Sequence, residues 1–195
     1  MPGLPASIDY VLLHTCTSTK LNGILQEILE AVPDEKVLVF STLHQVLNEL
    51  AKALELCKVP FLFYVSGMPQ HLRNTYVNAF AHKPQFRCLL MSTAIGGSGL
   101  DLHCASRIIL AEPIWQWDLE SQAVKRAWRI GQTRRVLVST YVMRHTYEER
   151  LIERKKARFL NGTDAAEQLQ TLIDDPGMRE FLARPHLGPV AVTQR

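Results

Sequence analysis

The chain has 195 residues, 47% of them hydrophobic, which is enough to bury one sizeable core with a helical appendage but too little for two such domains. Lys and Arg number 22 against 19 for Asp and Glu, and the resulting net charge of +3 permits a phosphate-contacting face without demonstrating one. The four cysteines form no C-x-x-C pair, which indicates neither a zinc site nor a disulfide framework. No apolar stretch reaches the roughly 18 residues that a membrane helix needs, so we expect an intracellular protein without a membrane-embedded part.

Apolar residues recur at helical spacing over residues 21–29, after the candidate cap Ser18, and predict a first helix. A strand is predicted next, at residues 37–40. The same alternation continues along the chain, with helices at 44–56, 70–81 and 119–130 and strands at 61–65, 87–91, 107–111 and 136–142. Apolar strands that alternate with helices predict an α/β fold with a mostly parallel sheet between two layers of helices.

The character of the sequence changes after Thr146. A long charged helix is predicted at residues 147–160 and another helix at 165–173, and residues 184–195 have the composition of a tail. We therefore divide the chain into an N-terminal lead-in (1–17), an α/β core (18–144), a charged helix (145–160) and a helical extension with a tail (161–195).

The most informative segment is Q-A-V-K-R-A-W-R-I-G-Q at residues 122–132. On a helix, Gln122, Arg126 and Arg129 would share one polar stripe, because they stand at i, i+4 and i+7. Arginine suits phosphate because its planar fork stays charged and can donate two parallel hydrogen bonds. The spacing alone fits a solvated helix face with ordinary surface arginines better than it fits a phosphate-binding site.

The residue types of this segment are informative beyond their spacing. The pattern Q-A-x-x-R-A-x-R-I-G-Q closely resembles helicase motif VI of the Swi/Snf-type remodelling ATPases. The resemblance implies that Arg126 and Arg129 are arginine fingers, which reach nucleotide held by a preceding first lobe. It also implies that Gln122 contacts the nucleotide cleft.

A second segment, M-S-T-A-I-G-G-S-G-L-D-L at residues 91–102, follows a predicted strand. Its glycines allow a positive φ and a close backbone approach to phosphate or to a neighbouring lobe. The segment is similar to motif V of the same family, with Asp101 where Asn is usual. The resemblance implies DNA-backbone contacts by Ser92 and Thr93, and nucleotide-side contacts by Gly97, Gly99 and Asp101.

Further matches arrive in the order that the family has: S-T-K-L at 18–21, K-V-L-V-F-S at 36–41 and S-G-M-P-Q-H-L-R at 66–73. They imply DNA contacts by Ser41, Ser66 and Gly67. The segment E-P-I-W-Q-W-D-L-E-S-Q-A at 112–123 resembles D-P-W-W-N-P-x-x-E-x-Q-A of the repair-type branch, with Gln116 and Trp117 in place of Asn and Pro. The segment from Thr146 resembles the family's T-x-E-E-x-I and its bracing helix, which is the charged helix at 145–160.

The resemblance spans about residues 18–158 and implies a RecA-like three-layer sandwich, the C-terminal lobe of an ATP-dependent translocase on double-stranded DNA in chromatin remodelling or repair. ATP and Mg²⁺ would be held mainly by the first lobe of the same parent protein, and the implied partners are that lobe, double-stranded DNA and nucleosomes in the nucleus. The chain has no G-x-x-x-x-G-K-[ST] loop and no apolar strand that ends in Asp-Glu. We therefore expect no ATP hydrolysis from this chain alone.

Two other interpretations remain open. A non-catalytic lobe that serves as a protein-interaction scaffold in a chromatin complex is favoured by the departures at Asp101, Gln116 and Trp117, whereas the pair Arg126 and Arg129 favours the motor. The second lobe of an RNA helicase is disfavoured, because R-I-G-Q resembles the remodelling branch.

Overall fold

A computed structural model describes residues 8–15, 20–93 and 100–161, with the backbone alone for 8–15, Trp117 and 156–161. The chain divides into two compact units, Met1–Arg154 and Lys155–Arg195. In the second unit only the last turns of one helix are described. The helix predicted at 165–173 and the tail at 184–195 lie outside the described residues.

Six strands and five helices are found in the described residues. In chain order they are β1 (Ile8–Thr15), α1 (Lys20–Ala31), β2 (Val37–Ser41), α2 (His44–Leu56), β3 (Phe61–Tyr64), α3 (Gln70–His82), β4 (Cys88–Ser92), β5 (Arg107–Leu110), α4 (Trp117–Ala127), β6 (Val136–Met143) and α5 (Tyr147–Asn161). The predicted alternation of strands and helices is confirmed in the described residues between 20 and 161.

The strands form one sheet in the order β1-β6-β5-β2-β4-β3, and every neighbouring pair is parallel. Every residue of β2 and β4 is buried, as expected for central strands that are covered on both faces. Alternate residues of β2 enter different cores, because successive side chains of a strand point to opposite faces. Leu38 and Phe40 pack with residues of α3 and α4, while Val37 and Val39 pack with residues of α1 and α2. The result is the predicted RecA-like three-layer sandwich.

Strand β1 is an element that the sequence pattern did not predict. It lies at the edge of the sheet and pairs with β6 from Ile8 opposite Val136 to Thr15 opposite Met143. Its partner is more than 120 residues away along the chain. Local periodicity carries no information about such a distant partner, and residues 1–17 were therefore expected to be only a lead-in.

Helix α4 ends three residues earlier than its apolar pattern predicts. Its last helical residue is Ala127, not Ile130. The amide of Leu102 donates a 3.0 Å hydrogen bond to the carbonyl of Arg126, and the chain then turns through Gly131, whose φ is +102°. The carbonyl of Arg126 is thus bonded to Leu102 and not to an amide of a further helical turn. The expectation that Arg129 extends a helical stripe with Gln122 and Arg126 is wrong, because Arg129 lies beyond the helix.

A polar network joins α1 to the strands beneath it. The carboxylate of Glu27 accepts hydrogen bonds from Ser139 Oγ at 2.7 Å, Tyr141 Oη at 2.9 Å and Arg107 Nη1 at 3.3 Å. Burial raises the pKa of Tyr141, as do the charge of Glu27 and its hydrogen bond, so the phenol stays a donor. The network fixes α1 over β5 and β6.

Among the described residues, no helix is long and apolar enough to span a bilayer.

Candidate functional site

Several of the predicted DNA-contacting residues follow the carboxyl ends of neighbouring parallel strands. Ser41 ends β2 and Ser92 ends β4, and the Ser66–Gly67 pair comes two residues after the end of β3. Carboxyl ends of parallel strands lie at one edge of the sheet, where α/β proteins commonly bind ligands. The fold therefore gathers residues from separate motifs at one edge.

Accessibility divides these residues into two groups. Ser66 and Gly67 are exposed, and Gly67 has a φ of +85° with open space where a Cβ would stand. Ser92 and Thr93 are buried, with 3% and 6% of their surface exposed. The turn after β3 is thus directly available to a ligand, whereas the predicted contacts of Ser92 and Thr93 with DNA are not available to these buried side chains.

Ser41 is fully buried, and its hydroxyl lies 2.9 and 3.0 Å from the two carboxylate oxygens of Glu112. The same hydroxyl accepts a 3.0 Å hydrogen bond from the amide of Leu43. The neighbouring Thr42 is exposed, and both its amide and its Oγ1 donate to Glu112 Oε1, the latter at 2.8 Å. The exposed surface of this turn therefore begins at Thr42, and Ser41 lies beneath it.

The two predicted fingers lie at and just beyond the end of α4. Arg126 has 8% of its surface exposed, whereas Arg129 is exposed and donates from Nη1 to the carbonyl of Leu100 at 3.4 Å. Burial lowers the pKa of Arg126 and the charge of Arg129 lowers it further, against an opposing effect of Tyr64. The bond from the amide of Leu102 to the carbonyl of Arg126 and the contact of Arg129 with the carbonyl of Leu100 place both arginines beside residues 100–102.

Asp101 lies in the same neighbourhood. Its Oδ1 is 2.8 Å from His103 Nδ1 and accepts a 3.3 Å hydrogen bond from the amide of His103. Burial alone would raise the pKa of Asp101, but the hydrogen bonds and charge of His103 and the charge of Arg129 lower it overall. The carboxylate stays ionised and helps to offset the positive charge of Arg129.

The structure thus brings together Arg126, Arg129 and Asp101. Gln122 is exposed on α4, one helical turn before Arg126. Gly97 and Gly99 lie outside the described residues.

Glu112, Thr42 and His103 take part in these arrangements, although the sequence pattern does not indicate them as site residues. The signal for Glu112 was available, because a carboxylate directly after an apolar strand of a parallel sheet belongs at the ligand-binding edge. No comparable signal existed for Thr42 or His103, whose roles depend on partners that the fold supplies.

A parallel three-layer sandwich with this strand order, these turns and this arginine-bearing helix defines the second lobe of a RecA-like helicase. The family model for the helicase conserved C-terminal domain matches residues 19–131, more than half of the chain, and the chain belongs to this family. The relatives of this chain are Swi/Snf-type ATPases.

Two curated relatives and one solved structure illustrate this membership. The chain is 33% identical over 172 residues to the DNA repair protein rad8 of Schizosaccharomyces pombe, with 84% of this chain and 15% of that protein covered. It is 36% identical over 127 residues to the DNA repair protein RAD5 of Gibberella zeae, covering 64% of this chain and 11% of that protein. The C-terminal part of the Fun30 ATPase domain matches with a TM-score of 0.65 and 28% identity, over 69% of this chain and 44% of that one. The chain therefore spans less than a fifth of the length of these two relatives.

Proposed function

We propose that this lobe is the C-terminal half of an ATP-dependent translocase on double-stranded DNA that serves chromatin remodelling or DNA repair in the nucleus. A first lobe of the same parent protein would hold most of the ATP and its Mg²⁺. This lobe would supply Arg126 and Arg129 to the nucleotide and a set of contacts to the DNA backbone. Nucleosomal DNA is included among its proposed partners.

The observation that carries the proposal is the pair of guanidinium groups beside α4. Arg126 accepts from the amide of Leu102 through its carbonyl and Arg129 donates to the carbonyl of Leu100, so both arginines border residues 100–102, and paired guanidinium groups favour the binding of an anion. The developing charge on a transferred phosphoryl group is such an anion, and arginine fingers typically accelerate its transfer by about 10³- to 10⁵-fold. Arg126 is held firmly by burial, and Arg129 is accessible from solvent. This combination suits a group that completes a site on a neighbouring lobe.

The remaining site residues are proposed to contact either the nucleotide or the DNA. Gln122 is proposed to contact the nucleotide side of the cleft, together with Gly97, Gly99 and Asp101. Ser66 and Gly67 are proposed to contact DNA phosphates, with Ser41, Ser92 and Thr93 supporting that surface. Phosphate contacts carry no sequence information, which suits a motor that must grip the same way at every step.

In the proposed cycle, ATP draws the two lobes together and the arginines complete the catalytic site. Hydrolysis then lets the lobes separate. Alternating closure and opening, with backbone contacts exchanged in between, moves the lobes along one strand of the duplex. The chain alone would not turn over ATP, because the phosphate-binding loop and the magnesium carboxylates would belong to the first lobe.

The test is ATP turnover by a protein that carries both lobes, with and without duplex DNA, for wild type, Arg126→Ala and Arg129→Ala. Arg134→Ala is the control, because Arg134 is an exposed arginine of the following loop whose Nη1 donates to the carbonyl of Asp34. The proposal predicts a fall of about 10³-fold or more for the finger variants with nucleotide binding retained, and a near-normal rate for the control. Undiminished turnover in both finger variants, or no turnover by the wild type, would favour the protein-interaction scaffold instead.

A further inference from the structure

The carboxylate of Glu112 lies at the centre of the turn that joins β2 to α2. Glu112 follows β5 and is 7% exposed. It accepts hydrogen bonds from Ser41 Oγ at 2.9 Å, Thr42 Oγ1 at 2.8 Å and the amide of Thr42. A carboxylate that is removed from water requires donors of this kind, and each charge-assisted bond is stronger than one between neutral groups. The turn and the carboxylate are therefore held firmly to each other.

Within the turn, the Ser41 hydroxyl accepts a 3.0 Å hydrogen bond from the amide of Leu43. Helix α2 begins after Leu43, which makes no side-chain capping hydrogen bond. The three residues that lead into the helix, Thr42, Leu43 and His44, are all exposed. The orientation of this exposed surface is thus set jointly by Ser41 and by Glu112, which follows β5 and is 71 residues further along the chain than Ser41.

From this geometry we infer that Glu112 is a positioning residue for DNA, which holds the exposed Thr42–His44 turn in the orientation that meets a backbone phosphate. The inference rests on the proposed function and deepens it. Ser41 supports the turn together with Glu112 and does not touch DNA, because its hydroxyl is buried and its bonds are made within the protein. The ligand is the sugar-phosphate backbone of duplex DNA.

The direction of the change in DNA affinity distinguishes a positioning role of Glu112 from an effect of its charge alone. Glu112 is an anion close to the proposed path of a polyanion, so if it acted only through its charge, its removal would strengthen DNA binding. Positioning predicts the opposite. Glu112→Gln keeps the size of the side chain and removes the charge that anchors three donors, so the turn should loosen and DNA binding should weaken.

The experiment measures duplex DNA affinity against salt concentration, thermal unfolding, and ATP turnover at saturating DNA, all in a protein that carries both lobes. Glu35→Gln is the control, since Glu35 is likewise a carboxylate that accepts a hydrogen bond from a serine, Ser106, although it is half-buried and also bonded to Arg107. Glu35 precedes β2, whereas Glu112 follows β5. Glu35 therefore lies at the amino ends of the parallel strands, away from the carboxyl ends where Glu112 lies. We expect Glu112→Gln to weaken DNA binding about tenfold and to reduce the salt slope by about one phosphate contact. Turnover at saturating DNA should stay within about twofold of wild type.

Ser41→Ala is the second variant and removes one donor from the same carboxylate, together with the acceptor of the Leu43 amide, while it leaves the exposed side chains unchanged. It should weaken DNA binding in the same direction while its melting temperature stays near that of the control. Should Glu112→Gln not fold, Ser41→Ala tests by the same measurements whether the turn that Glu112 and Ser41 hold together is needed for DNA binding. DNA affinity and salt slope equal to wild type, or tighter binding by Glu112→Gln, would overturn the inference while leaving the translocase proposal intact. A wild type that binds no duplex DNA and shows no DNA-stimulated turnover would overturn both.

Discussion

The amide of Leu102 and the carbonyl of Arg126 are joined by a 3.0 Å hydrogen bond that connects the exit of one helicase motif to the end of another. This bond ends α4 before Trp128 and leaves Arg129 in the following turn. The two proposed fingers therefore differ in their surroundings: Arg126 is packed on the helix, and Arg129 is exposed beside Leu100. A change in the segment around Leu102 would move the backbone that carries both.

This difference predicts unequal effects on stability. Arg126→Ala should lower the free energy of unfolding by about 1–3 kcal/mol, because it removes a buried side chain with its packing and polar contacts. Arg129→Ala should change it by no more than about 0.5 kcal/mol, as is usual for exposed positions. Urea unfolding of the two variants, beside wild type, measures both values. Equal destabilisation by the two would contradict the geometry at the end of α4.

An ion pair near the start of α5 gives a second prediction. Lys20 Nζ lies 2.9 and 3.0 Å from the two carboxylate oxygens of Glu148, and the side chains are only 14% and 5% exposed. Glu148 also accepts a 2.8 Å hydrogen bond from the amide of Met143. The pair thus connects the start of α1 with the end of β6 and the first turn of α5.

Lys20→Met should lower the free energy of unfolding by about 2–3 kcal/mol, because it leaves a buried carboxylate without its cation. Lys52→Met is the control, since Lys52 pairs with Glu49 on the surface at 67% and 48% exposure, and its removal should cost no more than about 1 kcal/mol. Both are read from urea unfolding at neutral pH. Similar values for the two variants would show that the Lys20 pair contributes no more than a surface pair does.

The pH dependence of stability gives a third prediction, at Glu35. Burial alone would raise the pKa of Glu35, but hydrogen bonds from Arg107 and Ser106 and the charges of Arg107 and Arg134 lower it overall. A carboxyl whose pKa is lowered by folding stabilises the protein above its unfolded pKa, and this stabilisation is lost as the pH falls through the folded value. Wild type should therefore lose stability from about pH 5 downward more steeply than Glu35→Gln does.

The measurement is urea unfolding at a series of pH values from neutral to acid. Glu30→Gln, which removes an exposed carboxylate of α1, is the control and should follow the wild-type curve. If Glu35→Gln also follows it, Glu35 makes no ionised contribution to folding.

The sequence predicted most of the fold because the information is local. Apolar runs such as that of β2 and the helical periodicity of α2 are determined within a dozen residues, and their order implies a parallel sheet. What could not be predicted depends on distant partners. Strand β1 needs β6 to pair with, the end of α4 needs Leu102, and the burial of Ser41 needs Glu112, 71 residues away.

The same distinction applies to the candidate site. The residue types and their order indicated Arg126 and Arg129, and the resemblance supplied the roles proposed for them. Their different exposure, the bonds between Asp101 and His103, and the position of Ser41 beneath Thr42 are all tertiary facts. Sequence patterns identify which residues matter more readily than which of them reach the ligand.

The most direct test of the account is displacement of a third DNA strand from a duplex track by a protein that carries both lobes. A motor that moves along the duplex should release the third strand when ATP is added, at a rate that exceeds release without ATP. Arg129→Ala, which should leave the fold intact, should abolish this release, while Arg134→Ala should retain it. ATP turnover by the wild type without any release of the third strand would contradict the assignment of this lobe to a DNA translocase.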